Sequence, residues 1–449
     1  MEAKRKKILI IHPEGNINNN PNLSGIVEIL CENNFSVTVS SPLRPEIYQF
    51  SPCDNATMLL EDKSSSTSIA EAVKIKYSGE FDLIIGVDKG IIEASIISSL
   101  NRTPYGLISY EILFSDEIDN EDKEIEIDAC KHISFAVVQD ETRAKHLAEE
   151  NKITQDKIIY IPVAGRRVKK RIKSYFWHER FNIPRSINIA LYIGSVKNWS
   201  MIDELLELGN RIPQNWHLII HNRYGLEELA PYYSKQIEVY NNIHLSTIPF
   251  TTFKDMEAAF FSANVGLAFY KPIQGDISAN KNLEYIGMSS GKIATYLQHG
   301  LPIIINNIQP MAQFVTKYNL GQSISNINDL PKALDFIASA TLNLNCYSFF
   351  NEILNLDKTA QPLIDKIKMY FIIKTRKNKS SITIDFNWSS FYIDRFRYLN
   401  YKIQFLRSLA EASGYKTSLS FKFKLFFFLC LRKIKNKLIK NAKTIDNHN

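Results

Sequence analysis

Short apolar runs recur along this chain, each closed off by turn residues and separated from the next by a helix-length stretch, which is how parallel strands buried on both faces read. The runs Ile8 to Ile11, Ser36 to Val39, Asp82 to Gly86, Tyr105 to Ser109 and Phe135 to Val138 alternate with helical patterns such as Leu23 to Glu32 and Glu141 to Glu150. A doubly wound α/β domain over residues 1–165 follows. After the strand ending at Pro162 comes a basic stretch, Arg166 to Lys173, and the alternation starts again. Strands are expected at Ile189 to Ile193, His217 to His221, Asn264 to Phe269 and Pro302 to Ile305, with helices at Met201 to Leu208, Phe253 to Ser262 and Gly291 to His299. The 449 residues are enough for two cores. The expected organisation is two Rossmann-like domains, 1–165 and 187–345, joined by a basic linker over 166–186. A crossing helix such as Gln361 to Ile373 and a helical extension fill 346–419, and a basic tail closes the chain over 420–449.

The net charge of +7 is misleading, because Phe421 to Lys443 carries eight Lys or Arg residues and no acid. Without that segment the body is near neutral, so a basic face for nucleic acid is not expected. Cys31, Cys53, Cys130, Cys346 and Cys430 are odd in number and include no CxxC pair, which suits a reducing cytosol and neither a disulfide framework nor a zinc site. The apolar run after Lys4 to Lys7 is too short for a signal peptide, and no run reaches the ~18 apolar residues of a membrane span. No D-x-D, HExxH, Walker or GxGxxG pattern occurs, so no metal or nicotinamide is expected. The eight carboxylates between Asp116 and Asp128 read as a solvated acidic loop.

The most informative segment is Gly287 to Pro302, GMSSGKIATYLQHGLP, followed by the strand IIIN. Two serines, a glycine and a lysine stand where a helix begins, so free amides, hydroxyls and an ammonium converge as in an anion site. Lys292 is expected to be an exposed lysine of the first turn, adding little to the core. Gly300 stops the helix and Pro302 opens the next strand without needing a donor. The same letters spell G-x-S-x-G at Gly287, Ser289 and Gly291, but a hydrolase elbow needs a buried strand just before the serine, and Asn280 to Tyr285 is mostly polar.

This segment resembles the donor-site helix of GT-B glycosyltransferases of the family-4 kind. Asn242 to Tyr270, NIHLSTIPFTTFKDMEAAFFSANVGLAFY, is similar to the strand, turn, helix and strand that precede that helix, and Ala190 to Val196, ALYIGSV, resembles the first strand and turn of the family's donor domain. The resemblance implies α/β GT-B architecture, with two Rossmann-like domains facing across a cleft, and sugar transfer from a nucleotide diphosphate sugar to an acceptor hydroxyl. It places the donor diphosphate on Ser289, Ser290, Gly291 and Lys292, with Gly194, Ser195 and Lys197 opposite, and the base and ribose beside Arg223 and Ile248. One position departs from the family: the glutamate that commonly holds the donor ribose is Thr295 here, and the acid before it is Gly287. A nucleotide-sugar epimerase, which shares the fold, is one rival reading, and the Thr295 departure motivates the other, an inactive binding subunit.

In the first domain, His12 to Gly25 follows the first strand and opens a helix, which is the acceptor-loop position in such enzymes. His12, Glu14, Gly15 and Asn16 are expected to face the cleft, with Asp88 and Tyr110 on the same rim as acceptor contacts. Lys292 is the expected catalytic cation. The family implies retention of configuration, and should the reaction invert, Glu111, Asp88 or His12 would act as base. The tail, with Leu425 to Leu431 too short to span a bilayer, reads as an interfacial helix on an anionic membrane, which suits a glycan or lipid-linked acceptor.

Overall fold

Both halves of the chain form parallel sheets whose central strands are apolar on both faces, as helices packed on either side demand. The structure, a computed structural model, describes residues 5–377 except 14, 16, 18–19, 44–50, 63, 78–79, 171, 223–232, 234, 236, 238, 248–249, 251–252 and 278. Glu14, Asn16, Arg223, Ile248 and everything from 378 onward, including the basic tail, lie outside the described residues.

The first sheet contains β1 (Lys6–Ile11), β2 (Phe35–Pro42), β3 (Ala56–Glu61), β4 (Leu83–Val87), β5 (Tyr105–Ile108), β6 (Ala136–Val138) and β7 (Ile158–Tyr160), in the order β3-β2-β1-β4-β5-β6-β7. Helices α1 (Pro21–Glu32), α2 (Ser66–Tyr77), α3 (Gly90–Asn101), α4 (Asn120–Cys130) and α5 (Glu141–Asn151) connect its strands. The second sheet contains β8 (Asn188–Gly194), β9 (Trp216–Asn222), β10 (Ile243–Ser246), β11 (Val265–Ala268), β12 (Ile303–Asn306) and β13 (Gly321–Ile324), in the order β10-β9-β8-β11-β12-β13. Around it lie α6 (Phe176–Phe181), α7 (Ile202–Glu207), α8 (Phe253–Phe261), α9 (Lys281–Glu284), α10 (Gly291–Gln298), α11 (Met311–Lys317), α12 (Leu330–Ser339) and α13 (Asn343–Phe349). β3 and β13 are strands beyond those expected; each lies at the edge of its sheet, where covering is less complete, and β3 is mostly half-buried.

Two expectations need correction. The acidic stretch 116–128 is not a loop throughout: α4 occupies most of it, with Glu126 buried against Lys123 at 2.8 Å, so an internal ion pair and not solvent takes up part of its charge. The stretch 166–186 is more than a linker, since Trp177 of α6 is fully buried in the second domain's core. Arg166 pairs with Glu28, Glu32 and Asp357, tying α1 to the returning chain.

Beyond the second sheet the chain returns through α14 (Leu356–Thr359) and α15 (Gln361–Lys377). Leu356, Ala360, Leu363, Ile364, Ile367 and Phe371 join Ile8, Ile10, Leu23, Val27 and Leu83 in one buried cluster, so the last helices belong to the first domain's core.

Candidate active site

Each sheet reverses its strand order at one place, between β1 and β4 in the first domain and between β8 and β11 in the second. Loops leaving the carboxyl ends of strands on either side of such a point diverge and leave a crevice. Among the described residues singled out in the sequence, His12 and Asp88 follow β1 and β4, and Gly194 and Ser195 close and follow β8, on the two sides of these reversals.

In the second domain, Ser290 caps α10: its hydroxyl accepts from the Ile293 amide at 3.2 Å and pairs with the Tyr270 hydroxyl. Ser290 thus spends its side chain on the helix. Lys292 departs from the exposed lysine expected there. Its Nζ lies 3.8 Å from the centroid of the Tyr192 ring and 5.2 Å from that of Tyr270, and it is buried with no hydrogen-bond partner among the described residues. The reason is tertiary. Tyr192 lies near the end of β8 and Tyr270 just past β11, and the strands bring both rings over the first turn of α10. Tyr296, one turn further along α10, fastens the arrangement by accepting from the Ile193 amide at 3.0 Å and donating to the Leu191 carbonyl at 2.9 Å.

Gly194 completes the enclosure. Its φ of +143° is left-handed territory, and a Cβ there would stand 3.2 Å from Lys292 Cε and 3.5 Å from Nζ. Burial drops the Lys292 pKa from its ordinary 10.5 to about 7. Two ring faces attract a cation, but they do not replace the water it has lost. The sign of the linkage follows: between about pH 7 and 10.5 the unfolded chain holds the proton that the native chain has released, so this group makes the ligand-free fold more stable as pH rises through that window. A bound anion would reverse the penalty. Chemically, the site is a lysine amine poised between its charged and neutral forms near pH 7, at the amino end of a helix.

The other donor candidates differ in what they still offer. Ser289 and Gly291 are half-buried in the turn that enters α10, and Thr295 donates its hydroxyl to the Gly291 carbonyl at 2.7 Å. The Ser195 carbonyl accepts from the Tyr192 hydroxyl at 2.9 Å. Lys197 is exposed, and its amide bonds to Ser200 Oγ at 3.1 Å.

In the first domain, His12 lies beneath Gly15, where a Cβ would come within 2.2 Å of Nε2. It is 6% exposed, and burial lowers its pKa to about 4, so the ring is neutral and not presented to the cleft. Asp88, with φ of +47°, accepts from the Tyr110 amide at 2.6 Å and the Glu111 amide at 2.9 Å. Tyr110 in turn donates its hydroxyl to Asn22 Oδ1 at 2.8 Å. Asp88 and Tyr110 therefore build the rim, and Glu111 is the carboxylate exposed on it.

Sequence reasoning missed Tyr192, Tyr270 and Tyr296. For Tyr192 and Tyr270 the available signal was a tyrosine near the end of two otherwise apolar runs, ALYIG and GLAFY, at strands that flank the reversal. Among the described residues no group of three or more His, Cys, Asp or Glu could hold a metal ion, and no helix is long and apolar enough to cross a membrane.

Comparison with known proteins adds the architecture. Residues 224–347 match the family model described as glucosyltransferase 3-like, C-terminal domain, which includes α10. A search of curated proteins finds no match. Among solved structures, HepE of Anabaena in complex with UDP and glucose aligns with a TM-score of 0.61 at 10% identity, covering 81% of this chain and 100% of that one. Sucrose-phosphate synthase of Thermosynechococcus elongatus aligns at 0.59 and 15%, covering 82% and 100%, and a glycosyltransferase of Rickettsia africae at 0.58 and 13%, covering 81% and 98%. The fold is GT-B: two Rossmann-like domains facing across a cleft, with a C-terminal helical stretch.

Proposed function

We propose that a chain with this fold and this buried cation transfers a sugar from a nucleotide diphosphate sugar to an acceptor hydroxyl. The observation that carries the reading is Lys292, an ammonium enclosed by two tyrosine rings without a counter-charge. A diphosphate supplies two negative groups, and HepE, similar in fold, was solved with UDP-glucose at a TM-score of 0.60. In the proposed reaction Lys292, the amides opening α10 and Lys197 stabilise the charge that grows on the departing diphosphate. Configuration at the sugar is retained, no metal takes part, and Arg223 and Ile248 flank the base and ribose. Were the reaction to invert, Glu111 would be the base, because Asp88 is held by two amides and His12 is buried.

A thermal-shift series with UDP, GDP, ADP and dTDP, and with their sugars, tests the donor class. At least one diphosphate should raise the melting temperature, in EDTA as well, and its parent nucleoside should not. The reading fails if none does. The Lys292 pKa adds a second signature: above pH 7 the free protein must take up a proton to bind the diphosphate. Affinity should therefore fall by about tenfold per pH unit between pH 7.5 and 9.5, with proton uptake visible when calorimetry is repeated in buffers of different ionisation enthalpy. An affinity flat across that range would mean the ammonium does not meet the ligand.

The acceptor is proposed to be a glycan or lipid-linked molecule at an anionic membrane surface in the cytosol, serving cell-surface polysaccharide or glycolipid synthesis. Support comes from the sequence of Ser420 to Lys443, where Arg432, Lys435, Lys437 and Lys440 stand among Phe426, Leu429 and their neighbours. Each basic residue close to such a surface contributes on the order of 1 kcal/mol. The whole chain should sediment with phosphatidylglycerol liposomes at low salt, and a chain ending at residue 415 should not. Equal sedimentation of the two removes the tail from the account.

A further inference from the structure

The segment that delivers Lys292 is fastened to the opposite domain at successive points. Asn282 of α9 reaches the first domain as a peptide group would: its Oδ1 accepts from the Ile112 amide at 2.9 Å and its Nδ2 donates to the Ile112 carbonyl at 2.8 Å. Three residues on, the Tyr285 ring stacks on His146 of α5 at 4.2 Å, and its carbonyl accepts from Arg143 Nη1 at 3.2 Å. Then the Met288 amide donates to Asp140 Oδ2 at 3.0 Å, while the Met288 carbonyl accepts from the Val163 amide at 2.9 Å. Ser289, Ser290, Gly291 and Lys292 follow immediately.

Arg143 is the centre of this seam. It is 1% exposed, and its guanidinium bonds to Gln139 and the Tyr110 carbonyl on one side and to the Tyr285 carbonyl and Asn282 on the other. Burial lowers its pKa from the usual arginine value, and the carboxylates of Glu111, Asp140 and Asp88 offset part of that cost. A charge so placed tolerates separation badly: opening the seam would leave two carbonyls, a carboxamide and a guanidinium without their fixed partners. Gly287 shows how close the two sides come. Its φ is +42°, and a Cβ there would stand 2.4 Å from Asp140 Oδ2.

We propose that Arg143 and Asn282 are positioning residues: they latch the first domain onto the 282–291 segment, and the latched arrangement is the one that binds the donor diphosphate. Neither touches the donor in this account. The proposal rests on the reading of Lys292 as a diphosphate site, and what it adds is that a first-domain arginine sets the affinity of a second-domain site.

The test uses the full chain, with UDP as the probe. Asn282→Ala removes both bonds to Ile112 and one to Arg143 without leaving a buried charge in excess, and Gly287→Ala pushes the Asp140 contact apart as an independent second variant. Each should enlarge the radius of gyration measured by X-ray scattering without ligand, and saturating UDP should restore the wild-type value. If the latched fraction falls to about one tenth, the apparent dissociation constant for UDP rises about tenfold. A merely structural role would instead lower the fraction of competent protein in a titration while leaving the dissociation constant alone. Unchanged scattering and an unchanged dissociation constant in both variants would overturn the latch. Should the wild type bind no nucleoside diphosphate while Asn282→Ala still expands, the donor reading falls, and with it the link to affinity, while the seam as the contact that holds the two domains together stands.

Discussion

Lys292→Met is expected to reduce turnover by about 10²–10³-fold, the usual consequence of removing one preorganised charge from a transition state, and at the same time to raise the melting temperature. The two effects share a cause. The Lys292 amino group sits buried between the Tyr192 and Tyr270 rings with no hydrogen-bond partner among the described residues, so the ligand-free fold must either hold a desolvated charge or release the proton, and both destabilise it until an anion binds. Methionine keeps most of the side chain's shape and removes the charge. Steady-state kinetics and calorimetric melting of the same preparation check both halves, and the pH dependence of UDP affinity should vanish in the variant. Full turnover at saturating donor would remove Lys292 from the chemistry, and a collapse of the fold would show that the amino group, and not only the stem that methionine preserves, is needed to hold the pocket together.

Ending the chain at residue 355 should abolish folding of the first domain, whereas ending it at 377 should not. Leu356, Ala360, Leu363, Ile364 and Ile367 are at most 1% exposed and pack among Ile8, Ile10, Leu23 and Val27. Burying a Leu or Ile side chain contributes roughly 1.5–3 kcal/mol, so losing four of them removes on the order of 10 kcal/mol, comparable with the whole stability of an ordinary domain. The Phe35 ring would also lose Phe371, 5.9 Å away, and Arg166 its bond to Asp357. Circular dichroism and limited proteolysis of the two chains decide it. A protease-resistant 1–355 fragment that binds UDP as the whole chain does would show that α14 and α15 are dispensable.

Much of the architecture could be read from residue order, since a strand buried on both faces advertises itself as a continuous apolar run. Ile8 to Ile11, Ile189 to Ile193 and Pro302 to Ile305 all fall within or beside strands of the structure. The edge strands β3 and β13 escaped because one side of an edge is left uncovered and the apolar pattern thins there. The acidic run 116–128 misled for a related reason: charge pattern records which side chains are ionised and not which find partners, and Lys123 gives Glu126 one inside the protein.

For the site, local chemistry was sufficient to mark α10. A capping serine, a small residue and a lysine at a helix start are a property of a few consecutive positions, so GMSSGK and the Gly194 turn are legible in any reading of the chain. What Lys292 does there was decided by tertiary structure. Tyr192 is one hundred residues away and Tyr270 twenty-two, and only the pairing of β8 with β11 lays their rings over the ammonium and excludes water. The same holds for the first-domain rim. Residue type and strand position single out Asp88 and Tyr110, but whether such a group faces ligand or holds the backbone depends on which groups come within about 3 Å, and these come from other segments, the loop after β5 for Asp88 and α1 for Tyr110. By itself the sequence determined the central strands, the two-domain order and the helix that carries the cation, because those follow from local periodicity and capping. Burial, and with it the partners and charge state of Lys292, Arg143 and Asp88, was decided only when distant segments packed together, because desolvation depends on every neighbour in space and not on neighbours in the chain.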